Sequence, residues 1–265
     1  MLDPALPASE LRDAVALGIT HLELFVRADS PLLTDEAELQ RVSDGIEDAG
    51  MTLWSVHAPF GGEVDLSALE ELERRASSGI IRSACELAQS LGAKWVIAHA
   101  GISAEDPEEA EQRNRQSLRS INCLLAHTSR LGVDLAIEYL PGDKLRLWNH
   151  SSDIVAALQI LDGRPGVCLD TNHANIREPL EAVIRTLGSH IGTLHISDNN
   201  GEHEMHAFPG DGVIDWGSFM EALDEVGYAG PLIYEARMEG DVATHLEMTV
   251  RTAREQLGWE PVDAR

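Results

Sequence analysis

Short apolar runs recur along the chain, and six of them end in an imidazole or a carboxylate. They are Ser55-Val56-His57, Val96-Ile97-Ala98-His99, Leu135-Ala136-Ile137-Glu138, Val167-Cys168-Leu169-Asp170, Gly192-Thr193-Leu194-His195 and Leu232-Ile233-Tyr234-Glu235. Each run reads as a strand buried on both faces. Such a strand has no structural use for an imidazole or carboxylate at its end. Segments with helical spacing separate the runs. Gly50, Gly92 and Gly132 each follow the last apolar position of one, where a C-terminal glycine is expected. The pattern predicts strands over residues 21–26, 51–57, 95–99, 134–140, 166–170, 193–197 and 232–236. It predicts helices over residues 11–17, 34–49, 65–91, 107–131, 152–161, 179–187, 216–226 and 241–257, with Asp215 capping the helix that Trp216 opens.

Unbroken alternation of strand and helix implies parallel strands joined by right-handed crossovers. The spacing of positions 57, 99, 138, 170, 195 and 235 matches one strand-plus-helix unit of a ~250-residue (β/α)8 barrel. In that fold the C-terminal strand ends converge on one rim, where chemistry sits. A single-domain (β/α)8 TIM barrel over residues 1–265 is therefore expected, since no linker or composition break divides the chain. Only seven strands are visible. The first barrel strand is weak or missing, and residues 1–8, with two prolines, are a poor candidate for it. An open doubly wound sheet is the competing fold, disfavoured because no glycine-rich phosphate loop follows the first strand.

Charge narrows the partners. There are 45 Asp and Glu against 20 Lys and Arg, a formal −25, and such a surface repels phosphates, so no nucleic-acid partner is expected. No apolar stretch approaches the ~18–20 residues of a membrane span. The N-terminal Met1-Leu2-Asp3-Pro4 lacks a secretory profile. Cys85, Cys123 and Cys168 form no Cys-x-x-Cys pair, which points to a reducing, cytoplasmic setting with all three as buried small apolar residues. A homo-oligomer is left open.

Glu138, Asp170, His195 and Glu235 offer three carboxylates and one imidazole from four successive strands. A rim cannot hold three carboxylates together without a cation, and this donor mixture suits Mn2+, Mg2+, Co2+, Fe2+ or Zn2+. His57 and His99 end neighbouring strands and become pocket-lining ligands or substrate contacts. His173, in Asp170-Thr171-Asn172-His173, can face the same pocket. Glu204 and His206, two apart in an extended loop, point the same way and can chelate together. Of the tryptophans, Trp148 is the one expected to touch a ligand. Arg146, Arg177 and Arg237 are the cations nearest the active face, able to hold one phosphate or hydroxyl group of a small molecule.

The set His-Ala-Pro, His-x-Gly, Ile-Glu, Leu-Asp-Thr-x-His, Leu-His-Ile-x-Asp, His-x-x-Pro-Gly-x-Gly-x-Ile-Asp-Trp and Tyr-Glu resembles the xylose-isomerase-like TIM-barrel superfamily over roughly residues 19–237. That superfamily contains sugar isomerases and epimerases, and also endonuclease IV. The epimerase resemblance implies one divalent metal on Glu138, Asp170, His195 and Glu235, with the two glutamates exchanging a proton. It makes His173 a substrate contact; His206, Arg237 and Trp148 are the further substrate-binding candidates, on their own positions rather than on the resemblance. The substrate implied is a small polyhydroxylated carbonyl compound. The endonuclease IV resemblance implies up to three zinc ions, with His57, His99, His173, Glu204 and His206 added to the ligands. Two departures stand out: Glu204 occupies a position where endonuclease IV has Asp, and residues 139–144 lack the second Glu that tagatose-type epimerases use for substrate.

Overall fold

The computed structural model describes residues 8–62, 64–142, 145–238 and 240–260. Among the described residues, seven strands form one sheet in the order of the chain: β1 (His21–Phe25), β2 (Thr52–His57), β3 (Trp95–Ala98), β4 (Asp134–Glu138), β5 (Gly166–Asp170), β6 (Ile191–Ile196) and β7 (Ile233–Tyr234). Every adjacent pair is parallel. β1 also approaches β7, so the sheet curls into a nearly closed TIM barrel. The helices are α1 (Ala8–Ala16), α2 (Glu36–Ala49), α3 (Glu71–Ser90), α4 (Pro107–Leu131), α5 (Ser151–Ile160), α6 (Thr171–Asn175), α7 (Leu180–Leu187), α8 (Trp216–Val226) and α9 (Val242–Leu257). The segment considered for the missing strand falls mostly in residues 1–7, outside the described residues; Ala8 already belongs to α1.

Three elements differ from the expectation for local reasons. The helix expected from residue 65 begins at Glu71. Asp65 Oδ1 instead accepts from Ser67 N at 2.8 Å and Ser67 Oγ at 2.6 Å, a side-chain turn that competes with helix. α6 occupies what reads as a loop, because Asp170 Oδ1 accepts from His173 N at 3.0 Å and caps a short helix. β7 is only two residues long, although Glu235 N still reaches Ile196 O at 3.0 Å. A fourth difference concerns cysteine: Cys85 and Cys168 are buried, but Cys123 is exposed on α4. It falls on that helix's outer face, which periodicity alone does not distinguish from the inner one.

Alternate residues of a strand face one side, so the barrel interior fills in layers. The Trp95 ring lies at the bottom against Gly166 and Gly192, where an added Cβ would come within 2.6 Å of the indole. Ile97, Ala136 and Cys168 form the next layer. Two residues further along the same strands come His99, Glu138 and Asp170. Two bulges tune the register. One between Leu22/Glu23 and β2 sets Ser55 opposite Glu23; the other, at Gly192, sets His195 opposite Asp170. A one-residue slip reverses the face of every later side chain, so these bulges decide which groups enter the rim.

Candidate metal centre

Glu138 and Asp170 are the last residues of β4 and β5, His195 is the penultimate residue of β6, and Glu235 follows β7. Their ligand-type atoms lie within 4.8 Å of one another. His195 Nδ1 is 3.4 Å from Glu138 Oε1, 3.7 Å from Asp170 Oδ2 and 3.0 Å from Glu235 Oε2. Asp170 Oδ2, His195 Nδ1 and Glu235 Oε2 are buried without a hydrogen-bond partner. Buried carboxylates this close repel one another, and orphaned acceptors converging on one point are what a cation satisfies. The donors fit a divalent ion that prefers oxygen and tolerates one nitrogen.

Two more groups flank the quartet. His57 Nε2 and His99 Nε2 approach Glu138 Oε2 at 3.0 and 2.8 Å. His206 Nε2 and His173 Nε2 approach Glu204 Oε1 at 2.9 and 3.5 Å. The ligand-type atoms of His57, His99 and Glu138 cluster within 4.8 Å, as do those of His173, Glu204 and His206. Three of these imidazoles are held alike. His57 Nδ1 lies 2.9 Å from Ala58 O, His173 Nδ1 3.0 Å from Tyr139 O and His206 Nδ1 3.0 Å from Glu235 O. A carbonyl can only accept, so each Nδ1 carries the hydrogen and each Nε2 is left toward a carboxylate, Glu138 for His57 and Glu204 for His173 and His206.

The loop bearing Glu204 and His206 is built on Asp198, a residue whose role the sequence reading missed. Its carboxylate accepts from Asn199 N, Gly210 N, Ile214 N and Trp216 Nε1 at 2.8, 2.9, 3.1 and 3.0 Å. This explains the Pro-Gly-x-Gly-x-Ile-Asp-Trp pattern, since a Cβ at Gly212 would lie 2.2 Å from Asp198 Oδ1. Asn172 Oδ1 adds bonds from Met205 N and Asn199 Nδ2 at 3.2 and 2.8 Å. His206 itself has φ +50°, a left-handed conformation costly for a non-glycine residue and held here by these anchors.

Above the ligands lies a pocket of about 300 Å³. Phe60, Val64, Ile102 and Pro141 form its apolar wall, and Arg146 also lines it. Phe60 stacks on His99, with ring centres 4.2 Å apart and planes at 21°. Two expected substrate contacts are not among the pocket residues. Trp148 is only 4% exposed and packs into the core, because Leu140 N bonds to its carbonyl at 2.8 Å and its left-handed φ of 61° turns the chain there. Arg237 is exposed, and its tie to the site is its backbone N, 2.7 Å from His206 O. Glu23 was also overlooked. It is buried in the middle of β1, with His195 Nε2 at 3.0 Å.

Burial opposes charge throughout the site, but mutual attraction mostly wins. Burial pushes Glu138 up, yet His99, His173, His195 and His57 hold it well below the usual carboxylate range. Asp170 and Glu23 are lowered in the same way, chiefly by His173 and His195 respectively. His57 and His173 are raised despite burial because each faces carboxylates, and His195 because Cys168, Glu23 and Glu235 face it, whereas burial dominates at His99 and lowers it. The signs give a testable profile for metal-free protein. Histidines raised above 6.5 contribute stability that is complete below that pH and lost as pH climbs through their folded values. Carboxylates lowered from 4.5 or 3.8 contribute above those values and lose it as pH falls. Thermal melts in chelator should therefore be highest between about pH 4.5 and 6.5 and decline as pH rises above 6.5. A melting temperature that rises across that alkaline range contradicts this electrostatic reading.

The chain belongs to the xylose isomerase-like TIM barrel family, whose model matches residues 11–259. It is 32% identical over 137 residues to D-psicose 3-epimerase of Ruminiclostridium cellulolyticum, covering 50% of this chain and 45% of that protein. It is 30% identical over 211 residues to the probable endonuclease 4 of Mycobacterium leprae, covering 73% of this chain and 78% of that one. A crystal structure of a D-psicose 3-epimerase in the presence of D-fructose superimposes with a TM-score of 0.80 at 21% identity, covering 97% and 96% of the two chains.

Proposed function

We propose that this protein is a divalent-metal-dependent isomerase or epimerase of a small polyhydroxylated carbonyl compound. The observation that carries the reading is the quartet of Glu138, Asp170, His195 and Glu235, with its orphaned buried acceptors at the floor of a pocket sized for a small molecule. Mn2+, Mg2+, Co2+, Fe2+ or Zn2+ held there would polarise a carbonyl oxygen and its neighbouring hydroxyl. Glu138 and Glu235 remove and return the proton on the carbon beside that carbonyl, passing through an enediolate. Glu235, with 21% of its side chain exposed, is open to the pocket, while Glu138 is pinned by His57 and His99. His173 and His206 orient substrate hydroxyls. Phe60 covers an apolar edge, and Arg146 takes a polar or anionic substituent. Likeness to D-psicose 3-epimerase supports this substrate class.

A second reading is a multi-metal phosphodiesterase. The two additional ligand groups favour it, as does likeness to a probable endonuclease 4. The formal charge of −25 opposes duplex binding, and Arg146 is the lone Lys or Arg among the described pocket residues. Incubation with D-psicose, D-tagatose and D-fructose in deuterated water with Mn2+ separates the two. The isomerase reading expects deuterium at the carbon beside the carbonyl. Efficient incision of an abasic duplex with Zn2+, lost on His206→Ala, would replace it with the phosphodiesterase.

A further inference from the structure

His57, His173 and His206 each give Nδ1–H to a backbone carbonyl, but His195 is turned the other way. Its Nδ1 faces Glu138, Asp170 and Glu235. Its Nε2 lies 3.0 and 3.2 Å from the two oxygens of Glu23. The Glu23 side chain is wholly buried, and Ser55 Oγ donates to its Oε2 at 2.6 Å. Leu or Val at position 23 would fill a barrel interior without the cost of desolvating a carboxylate, so a glutamate here has a task other than packing. The β1–β2 bulge that sets Ser55 opposite Glu23 holds the carboxylate toward β6.

We propose that Glu23 is the positioning residue of the metal centre, accepting Nε2–H of His195 and so fixing the tautomer that leaves Nδ1 bare toward the three carboxylates. An ionised carboxylate only accepts, so the hydrogen must sit on Nε2. It also makes the imidazole a stronger donor than a carbonyl partner would, and it holds the ring against rotation. The inference rests on the reading of His195 as a ligand.

Two measurements test it, and neither needs turnover. In 15N NMR of the Zn2+-loaded wild type, the His195 signals, assigned by their loss in His195→Gln, should show hydrogen on Nε2. In Glu23→Leu the affinity for the tightest Mn2+ equivalent should fall about 10- to 100-fold, with Glu23→Gln, which keeps a carbonyl acceptor, in between. Hydrogen on Nδ1 with Nε2 bound to Zn2+ overturns the inference, and this result stands even if Glu23→Leu does not fold. A folded Glu23→Leu that binds Mn2+ within about twofold of wild type also overturns it, while leaving the metal reading intact. A wild type that binds no Mn2+ overturns both.

Discussion

Glu138→Gln is expected to lower turnover by about 10²- to 10⁴-fold, the range for losing a positioned acid–base group, with far-ultraviolet circular dichroism unchanged. The side chain stands at the junction of two ligand groups. Its Oε2 faces His57 and His99 at 3.0 and 2.8 Å, and its Oε1 faces His173 and His195 at 3.3 and 3.4 Å. An amide of the same shape keeps the packing but removes the charge that all four imidazoles answer to. It can neither take up the proton nor offset a divalent ion. Bound metal per chain should fall together with turnover. Deuterium exchange into substrate at the wild-type rate would exclude Glu138 from the proton relay.

Asp198→Ala is expected to be the most destabilising single change near the rim. Three backbone N–H groups and the Trp216 indole N–H would lose their acceptor in a position with no exposure. Each buried donor left unsatisfied costs about 1–3 kcal/mol, so a loss of at least about 3 kcal/mol is expected. The melting temperature should drop by roughly 10 °C for a chain of this size. Because the Asp198 cage carries the turn behind Glu204 and His206, substrate affinity should fall along with stability. A melting temperature within a degree or two of wild type would show that the cage is dispensable.

The strand ends were legible because a doubly buried strand gives a terminal imidazole or carboxylate no alternative role. His57, His99, Glu138, Asp170, His195 and Glu235 all come together at the rim. Glu23 escaped notice because it lies inside its run, where the alternation of Leu22, Glu23 and Leu24 reads as a polar face turned to water. In a barrel both faces are covered, one by helices and one by the interior, and periodicity does not separate them. Register is equally silent in composition: nothing marks the bulges at Trp54 and Gly192 that aim Ser55 and His195. Trp148 and Arg237 are not among the pocket residues: the positive φ at Trp148 turns that side chain into the core, and Arg237 is exposed. Arg146, from the same group of candidate cations as Arg237, is the one that reaches the pocket.

The most direct test is anomalous diffraction from crystals soaked in Mn2+, with metal counted in solution by mass spectrometry. The account predicts an ion about 2.0–2.4 Å from oxygen atoms of Glu138, Asp170 and Glu235 and from His195 Nδ1. One ion per chain matches the isomerase reading, and three matches the phosphodiesterase. A quartet that stays free of anomalous density at millimolar Mn2+ would contradict the central claim that these four side chains form a metal centre.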